Sequence, residues 1–302
     1  MSDQFSDVFC QAPDGLKLHA KILNGSSGSA KTSTLPVLCL PGLTRTADDF
    51  DVVARALANA PGAARQVIAM DFRGRGLSGY DAKPENYNVV TECGDVIALL
   101  ASLDISRAIF LGTSRGGIVS MVMAATKPDL IAGLILNDIG PALDIKGLMK
   151  IVGYIANPPP RATFDEAAAG LKALFGSVFP KLNDAGWMAW AHRAFRKNAS
   201  GGLDRTYDLK LARTLDGIDV SNPPAPIWEL FDKLAGKPLM LIHAELSDLL
   251  TAQGVTDMVA RRPDIDLVEV PDEGHAPLLA DRPTIERILA FCARCDGASP
   301  KT

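Results

Sequence analysis

Short unbroken apolar runs alternate with amphipathic stretches over residues 37–136, and this alternation restricts the fold more than any other feature of the chain. The runs 37–40 (VLCL), 66–70 (QVIAM), 108–111 (AIFL) and 131–136 (IAGLIL) are too short for helices and mostly apolar on both faces, the pattern of strands buried on two sides. Between them, 47–60, 91–103 and 115–127 carry apolar residues at helical spacing, with Phe50, Val53, Ala54 and Leu57 as one such face. Strand, helix and strand in repetition imply a parallel sheet with helices on both faces. Residues 8–11 and 16–23 read as a strand pair around the turn Ala12-Pro13-Asp14-Gly15, and 24–34 (NGSSGSAKTST) as a surface loop.

The rhythm stops at Pro141. From there to Ala235 helical stretches are legible at 164–175, 184–196 and 226–235, separated by the proline clusters 158–160 and 223–226, and no strand is convincing. This third of the chain holds 10 of the 18 aromatic residues, including all three Trp. The alternation then resumes with a strand at 238–243, a helix at 252–261, a strand at 266–270 and a closing helix at 283–295. The expected organisation is a sheet domain of residues 1–140 and 236–302, interrupted by a helical insert of residues 141–235. The insert's aromatics serve its own packing and also suggest a lid over an apolar pocket.

Composition removes several classes of partner. Lys and Arg number 31 against 35 Asp and Glu, a balance of −4 that offers no electrostatic footprint for nucleic acid or an anionic membrane. No apolar stretch approaches the roughly 20 residues that span a bilayer. The polar, acidic start lacks the design of a secretory signal. Five scattered cysteines (10, 39, 93, 292, 295) argue for a reducing, cytoplasmic setting without a disulfide framework.

Chemistry concentrates at Gly112-Thr113-Ser114-Arg115-Gly116, where a buried strand runs straight into Gly-x-Ser-x-Gly and then into an apolar helix. Such a turn lifts a serine hydroxyl above the sheet while small flanking residues permit close backbone approach. Among the four histidines, His275 follows the last strand and so reaches the carboxyl edge of the sheet with Ser114, which makes it the expected base. His19 and His192 fall within a strand and a helix, and His243 reads as a hydrogen-bonded core residue. For the carboxylate that orients the base, Asp248 is favoured, because the order Ser114, Asp248, His275 matches the serine, acid, histidine order of sheets of this kind. Asp138 is the alternative, with Glu245 behind it; the bland reading of Asp138 is a turn or helix cap.

With these residues in place the chain resembles the α/β-hydrolase superfamily, in the lid-bearing branch of serine hydrolases and esterases. The resemblance runs over nearly the whole chain and includes Leu40-Pro41-Gly42-Leu43 and Asp71-Phe72-Arg73-Gly74-Arg75-Gly76-Leu77-Ser78. It implies an oxyanion hole from the backbone N–H groups of Leu43 and Arg115. Pro41 stands where many members carry a histidine. Serine at 114 argues against the dehalogenase and epoxide-hydrolase chemistries, which use a carboxylate nucleophile.

The expected protein is therefore an α/β-hydrolase fold with a mostly parallel sheet and an inserted lid, a carboxylesterase-like enzyme forming an acyl-enzyme on Ser114. The same triad could serve C–C bonds of diketones, lactones, amides or acyl transfer, and a non-catalytic ligand-binding role is the remaining class. No cofactor and no metal are expected. The partner is a small acyl substrate, apolar or uncharged by the lid's composition, bound by a monomer or homodimer. Two decoys fail on context. Gly74-Arg75-Gly76-Leu77-Ser78-Gly79 has the glycine spacing of a dinucleotide loop but no following helix. Cys292 and Cys295 lie in the final helix without a second pair to make a zinc or redox site.

Overall fold

A computed structural model describes residues 4–25, 34–156 and 161–297. Most of the glycine- and serine-rich loop at 24–34 and the prolines 158–160 lie outside these residues. An eight-stranded sheet forms the centre. The first two strands, β1 (Ser6–Gln11) and β2 (Lys17–Leu23), pair antiparallel, and β2 pairs antiparallel with β4 (Val67–Asp71). From β4 onward every pairing is parallel, through β3 (Val37–Leu40), β5 (Ala108–Thr113), β6 (Ile131–Asn137), β9 (Leu239–Ala244) and β10 (Asp266–Val270). The fully buried runs β3, β4, β6 and β9 occupy this parallel part. Their side chains feed two apolar cores, one on each face.

The helices cover those faces. Along the chain α1 (Asp51–Ala58), α2 (Val89–Ser102) and α3 (Arg115–Thr126) connect the early strands, and α8 (Ala252–Arg261) and α9 (Arg282–Gly297) the late ones. Asn88 caps α2 by accepting from Thr91 N–H, and Thr251 caps α8 by accepting from Gly254 N–H.

Between β6 and β9 lie α4 (Ile145–Ala156), α5 (Phe164–Phe175), α6 (Asp184–Ala194) and α7 (Trp228–Asp232). Several departures from the sequence reading appear here, among them the helix expected at 226–235, which is confined to Trp228–Asp232. Helix α4 was not legible, and the helix expected to reach residue 196 ends at Ala194. The chain then turns into a hairpin, β7 (Phe195–Lys197) with β8 (Leu203–Arg205), in a region expected to lack strands. Three-residue strands carry too little alternation to register against helical spacing. The insert has its own core around Phe179, Trp187, Trp190 and Phe195, with Trp187 and Trp190 stacked 5.5 Å apart.

Candidate active site

Ser114 occupies the turn between β5 and α3 with φ 49° and ψ −112°, a conformation that L-residues rarely adopt. The surrounding glycines explain how the turn closes. A Cβ on Gly116 would lie 2.0 Å from the Leu40 carbonyl oxygen, and one on Gly112 would lie 2.6 Å from the Gly116 backbone. Only glycine lets α3 sit this close to the sheet. Ser114 N–H donates to the Asn137 carbonyl at 3.1 Å, anchoring the strained residue to the neighbouring strand.

The Ser114 hydroxyl is 2.9 Å from His275 Nε2, and His275 Nδ1 is 2.8 Å from Asp138 Oδ2. A carboxylate can only accept, so Nδ1 carries the proton and the Nε2 lone pair faces the serine hydroxyl. Asp138 itself is fully buried with φ 53°. Its Oδ1 accepts from Ala244 N–H at 3.0 Å and its Oδ2 from the Ser247 hydroxyl at 2.6 Å. The carboxylate thus has three donors and no freedom to turn.

Asp248, the acid favoured from the sequence, does not occupy this place. Its Oδ2 meets Lys150 Nζ of α4 at 2.6 Å, and its carboxyl is partly exposed. The physical reason is lateral position in the sheet. Strand β6, which delivers Asp138, is hydrogen-bonded directly to β5, which delivers Ser114; β9, which precedes Asp248, is one strand further away. Glu245 accepts from Asp272 N–H and also stands apart from the imidazole. Two residues that the sequence reading passed over complete the site. Ser247 holds Asp138, and the Asn137 amide donates to Thr113 Oγ1 at 3.1 Å and to the Pro277 carbonyl at 3.0 Å. Asn137 thereby ties the His275 loop to β5. Its position beside Asp138 at a strand end was the available signal.

The expected oxyanion donors lie near Ser114 in the chain or in space: Arg115 follows it and Leu43 lines the same cavity. Arg115 opens α3, so its N–H is one of the donors that helix geometry leaves without an internal acceptor. The Gly42 carbonyl accepts from Arg45 N–H at 3.2 Å, and a planar peptide directs the following Leu43 N–H the opposite way. A Cβ on Gly42 would lie 3.7 Å from Ser114 Cβ, which puts this peptide close to Ser114. Buried charges hold both Leu43 and Arg115. Arg75 Nε donates to the Leu43 carbonyl at 2.8 Å and Nη1 is 2.8 Å from Glu92, while Arg115 Nε donates to the other Glu92 oxygen at 2.6 Å.

A cavity of about 920 Å³ opens over Ser114 and His275. The sheet domain supplies its floor, and Tyr154, Phe175, Trp190, Phe195 and Tyr207 of the insert line its walls. The wall is less neutral than the aromatic count implied, for Arg45, Lys150, Arg161, Arg193 and Arg205 line it together with Asp48, Asp49, Asp51 and Asp248.

The remaining histidines are accounted for by bonding. His243 is held by Glu269 at 2.8 Å and the Leu250 carbonyl at 3.0 Å, His19 by Asp71 and Asp7, and His192 stacks on Phe164. The glycine-rich loop after β4 hydrogen-bonds to the insert through Gly76 N–H to Thr206 and Asp208 N–H to Gly74. Cys292 and Cys295 are buried, and burial pushes both thiols up to about 12. Among the described residues no group of three His, Cys, Asp or Glu side chains could hold a metal, and no helix is long and apolar enough to cross a membrane.

The chain is similar to known proteins along most of its length. A 3-hydroxybutyrate-oligomer hydrolase of Cupriavidus necator is 32% identical over 287 residues, covering 93% of this chain and 94% of that protein. A 2-(acetamidomethylene)succinate hydrolase of Mesorhizobium japonicum is 25% identical over 69% of this chain and 71% of its own. The crystal structure of an alpha/beta hydrolase from Novosphingobium aromaticivorans superposes with a TM-score of 0.87 at 36% identity, over 97% of this chain and 99% of that one. The model of the alpha/beta hydrolase family matches residues 37–287. These relatives are hydrolases, and the chain belongs to the alpha/beta hydrolase family.

Proposed function

We propose that the protein is a serine hydrolase that cleaves carboxylic esters through an acyl-enzyme on Ser114. The observation that carries this reading is the unbroken line from Ser114 Oγ through His275 to Asp138, with contacts of 2.9 and 2.8 Å. Ser114 Oγ attacks the ester carbonyl as its proton passes to His275 Nε2. Asp138 holds the imidazolium that results, and the N–H groups of Leu43 and Arg115 carry the charge on the carbonyl oxygen. The C–O bond to the alcohol then breaks and His275 returns the proton to the departing oxygen. Water repeats the sequence on the acyl-enzyme and frees the acid. In this reading Asp138 replaces Asp248 as the orienting acid, and residues 141–235 act as a lid.

The choice of ester bonds is supported by the similarity to a 3-hydroxybutyrate-oligomer hydrolase, since oligomers of a hydroxy acid are joined by esters. Ser114→Ala is the test. The variant is expected to lose p-nitrophenyl acetate hydrolysis by about 10⁴-fold or more and to resist labelling by a fluorophosphonate. Undiminished hydrolysis in that variant would exclude Ser114 as nucleophile.

A further inference from the structure

The cations that line the cavity fall into two groups. Arg45 and Arg193 share Asp49, with Arg193 Nε 3.0 Å from Oδ1, and Lys150 pairs with Asp248. Arg161 and Arg205 have no carboxylate partner among the described residues, and both line the cavity that holds Ser114 and His275. Asp48 and Asp51, on the same wall, are taken by Lys21.

The backbone puts these two arginines together. Arg161 bridges to Leu203 in antiparallel register, with Leu203 N–H donating to its carbonyl at 3.1 Å. Residues opposite one another in such a pair point to one face, and Arg205, two residues beyond Leu203, points to that face as well. The diagonal spacing of about 7–8 Å lies within reach of long side chains. Arg161 is steered further by α5: a Cβ on Gly170 would lie 2.2 Å from an Arg161 Nη. Arg205 lies over the rings of Phe195 and Tyr207, at 5.1 and 5.5 Å from their centroids. Ring contacts engage the face of a guanidinium and leave its N–H edge to find acceptors.

A third group points the same way. Tyr207 is only 5% exposed and lines the cavity; the Arg205 guanidinium lies beside its hydroxyl oxygen, and the hydroxyl proton has no aligned acceptor among the described residues. A buried phenol proton without an acceptor is costly, as are two neighbouring guanidiniums without a counter-charge. One anion would satisfy all three.

We propose that Arg161, Arg205 and the Tyr207 hydroxyl form a carboxylate-binding subsite within the catalytic cavity, so that the preferred esters carry a free acid group. Burial lowers the basicity of Arg205 and outweighs the support of the Tyr207 hydroxyl, and the Arg161 charge lowers it further. The planar fork of arginine suits a carboxylate better than a point charge would. This proposal rests on the ester-hydrolase reading and departs from the uncharged substrate expected from the aromatic content.

The test compares acid esters with neutral isosteres in the intact protein. A carboxylate on the acyl side is probed with monoethyl succinate against ethyl levulinate. A carboxylate on the leaving alcohol is probed with 3-acetoxybutyrate against 3-acetoxybutanamide. In one of these arms kcat/KM is expected to favour the acid by roughly tenfold or more, mainly through KM, and that arm identifies which side carries the charge. Arg205→Gln and Arg161→Gln should each reduce that ratio toward one, with Arg205→Lys between them and the unmodified protein. Equal rates for acid and neutral ester in both arms, or a preference that survives both glutamine variants, overturns the subsite. Because the unmodified protein alone can give the first of these results, misfolded variants do not shelter the proposal. Failure to cleave any ester through Ser114 would instead sink the underlying reading.

Discussion

Asp138 Oδ2 serves two donors at once, His275 Nδ1 at 2.8 Å and the Ser247 hydroxyl at 2.6 Å. The imidazole is therefore oriented by a carboxylate that is itself fixed by a side chain from the far side of the insert. Asp138→Asn should preserve the packing but favour the wrong imidazole tautomer, and kcat is expected to fall by about 10³–10⁴-fold. Asp248→Asn, which disturbs only the pair with Lys150, should stay within about tenfold of the parent. Steady-state kinetics on p-nitrophenyl acetate separates the two, and the reverse ranking would restore Asp248 as the acid.

Gly116 admits no side chain. Alanine there would drive its Cβ into the Leu40 carbonyl and displace the turn that carries Ser114. We expect Gly116→Ala to cost roughly 1–3 kcal/mol of stability and to lower kcat beyond the effect on folded fraction. Thermal melts alongside active-site titration would show it. An unaltered melting temperature would mean that α3 can move away at little cost.

Arg73 gathers three carboxylates, with Asp95 at 2.6 Å, Asp81 at 2.7 Å and Asp14 at 2.9 Å. Asp95 is completely buried, and burial raises its pKa in spite of the arginine. Arg73→Met strands the buried acids and should destabilise the protein by about 3–5 kcal/mol. Urea unfolding measures this directly; a loss below about 1 kcal/mol would show that the cluster reorganises around water.

His19 lies 2.6 Å from the buried Asp71 carboxylate and 3.0 Å from Asp7. Burial opposes its charged form, but hydrogen bonds and the two negative charges outweigh it and raise the pKa above 6.5. A raised pKa contributes stability that is complete below the unfolded value of about 6.5 and is lost as pH climbs through the folded one. Melting temperature should accordingly decline from near pH 6.5 upward, and His19→Asn should flatten that decline. Parallel slopes in the two proteins would remove His19 from the pH response.

The sheet was legible because the parallel strands at its centre are short apolar runs, and the 252–261 helix and the 266–270 strand were found at their observed limits. Ser114 and His275 were legible for a related reason: each follows a strand, and a strand's end marks the edge where the site forms. Choosing between Asp138 and Asp248 needed the order of strands across the sheet. That order depends on which crossovers pack beside β5, and no single segment encodes it. The Arg161–Arg205 juxtaposition was hidden in the same way, since it arises from a short hairpin with too few residues to show a period.

The hydrogen bonds around Asp138 have one more consequence. Asp138 N–H donates to the Ile242 carbonyl at 2.7 Å and its carboxylate accepts from Ala244 N–H, so the chain departs for the insert and returns from it at points bonded to each other. Helices α5 and α6 and the β7–β8 hairpin are looped out from a closed seam. Sequence drift within α5, α6 and the β7–β8 hairpin, which pack on a core of their own, can reshape the chamber over Ser114 while the seam beneath it keeps its geometry, which makes this stretch the natural place to alter what the chamber admits.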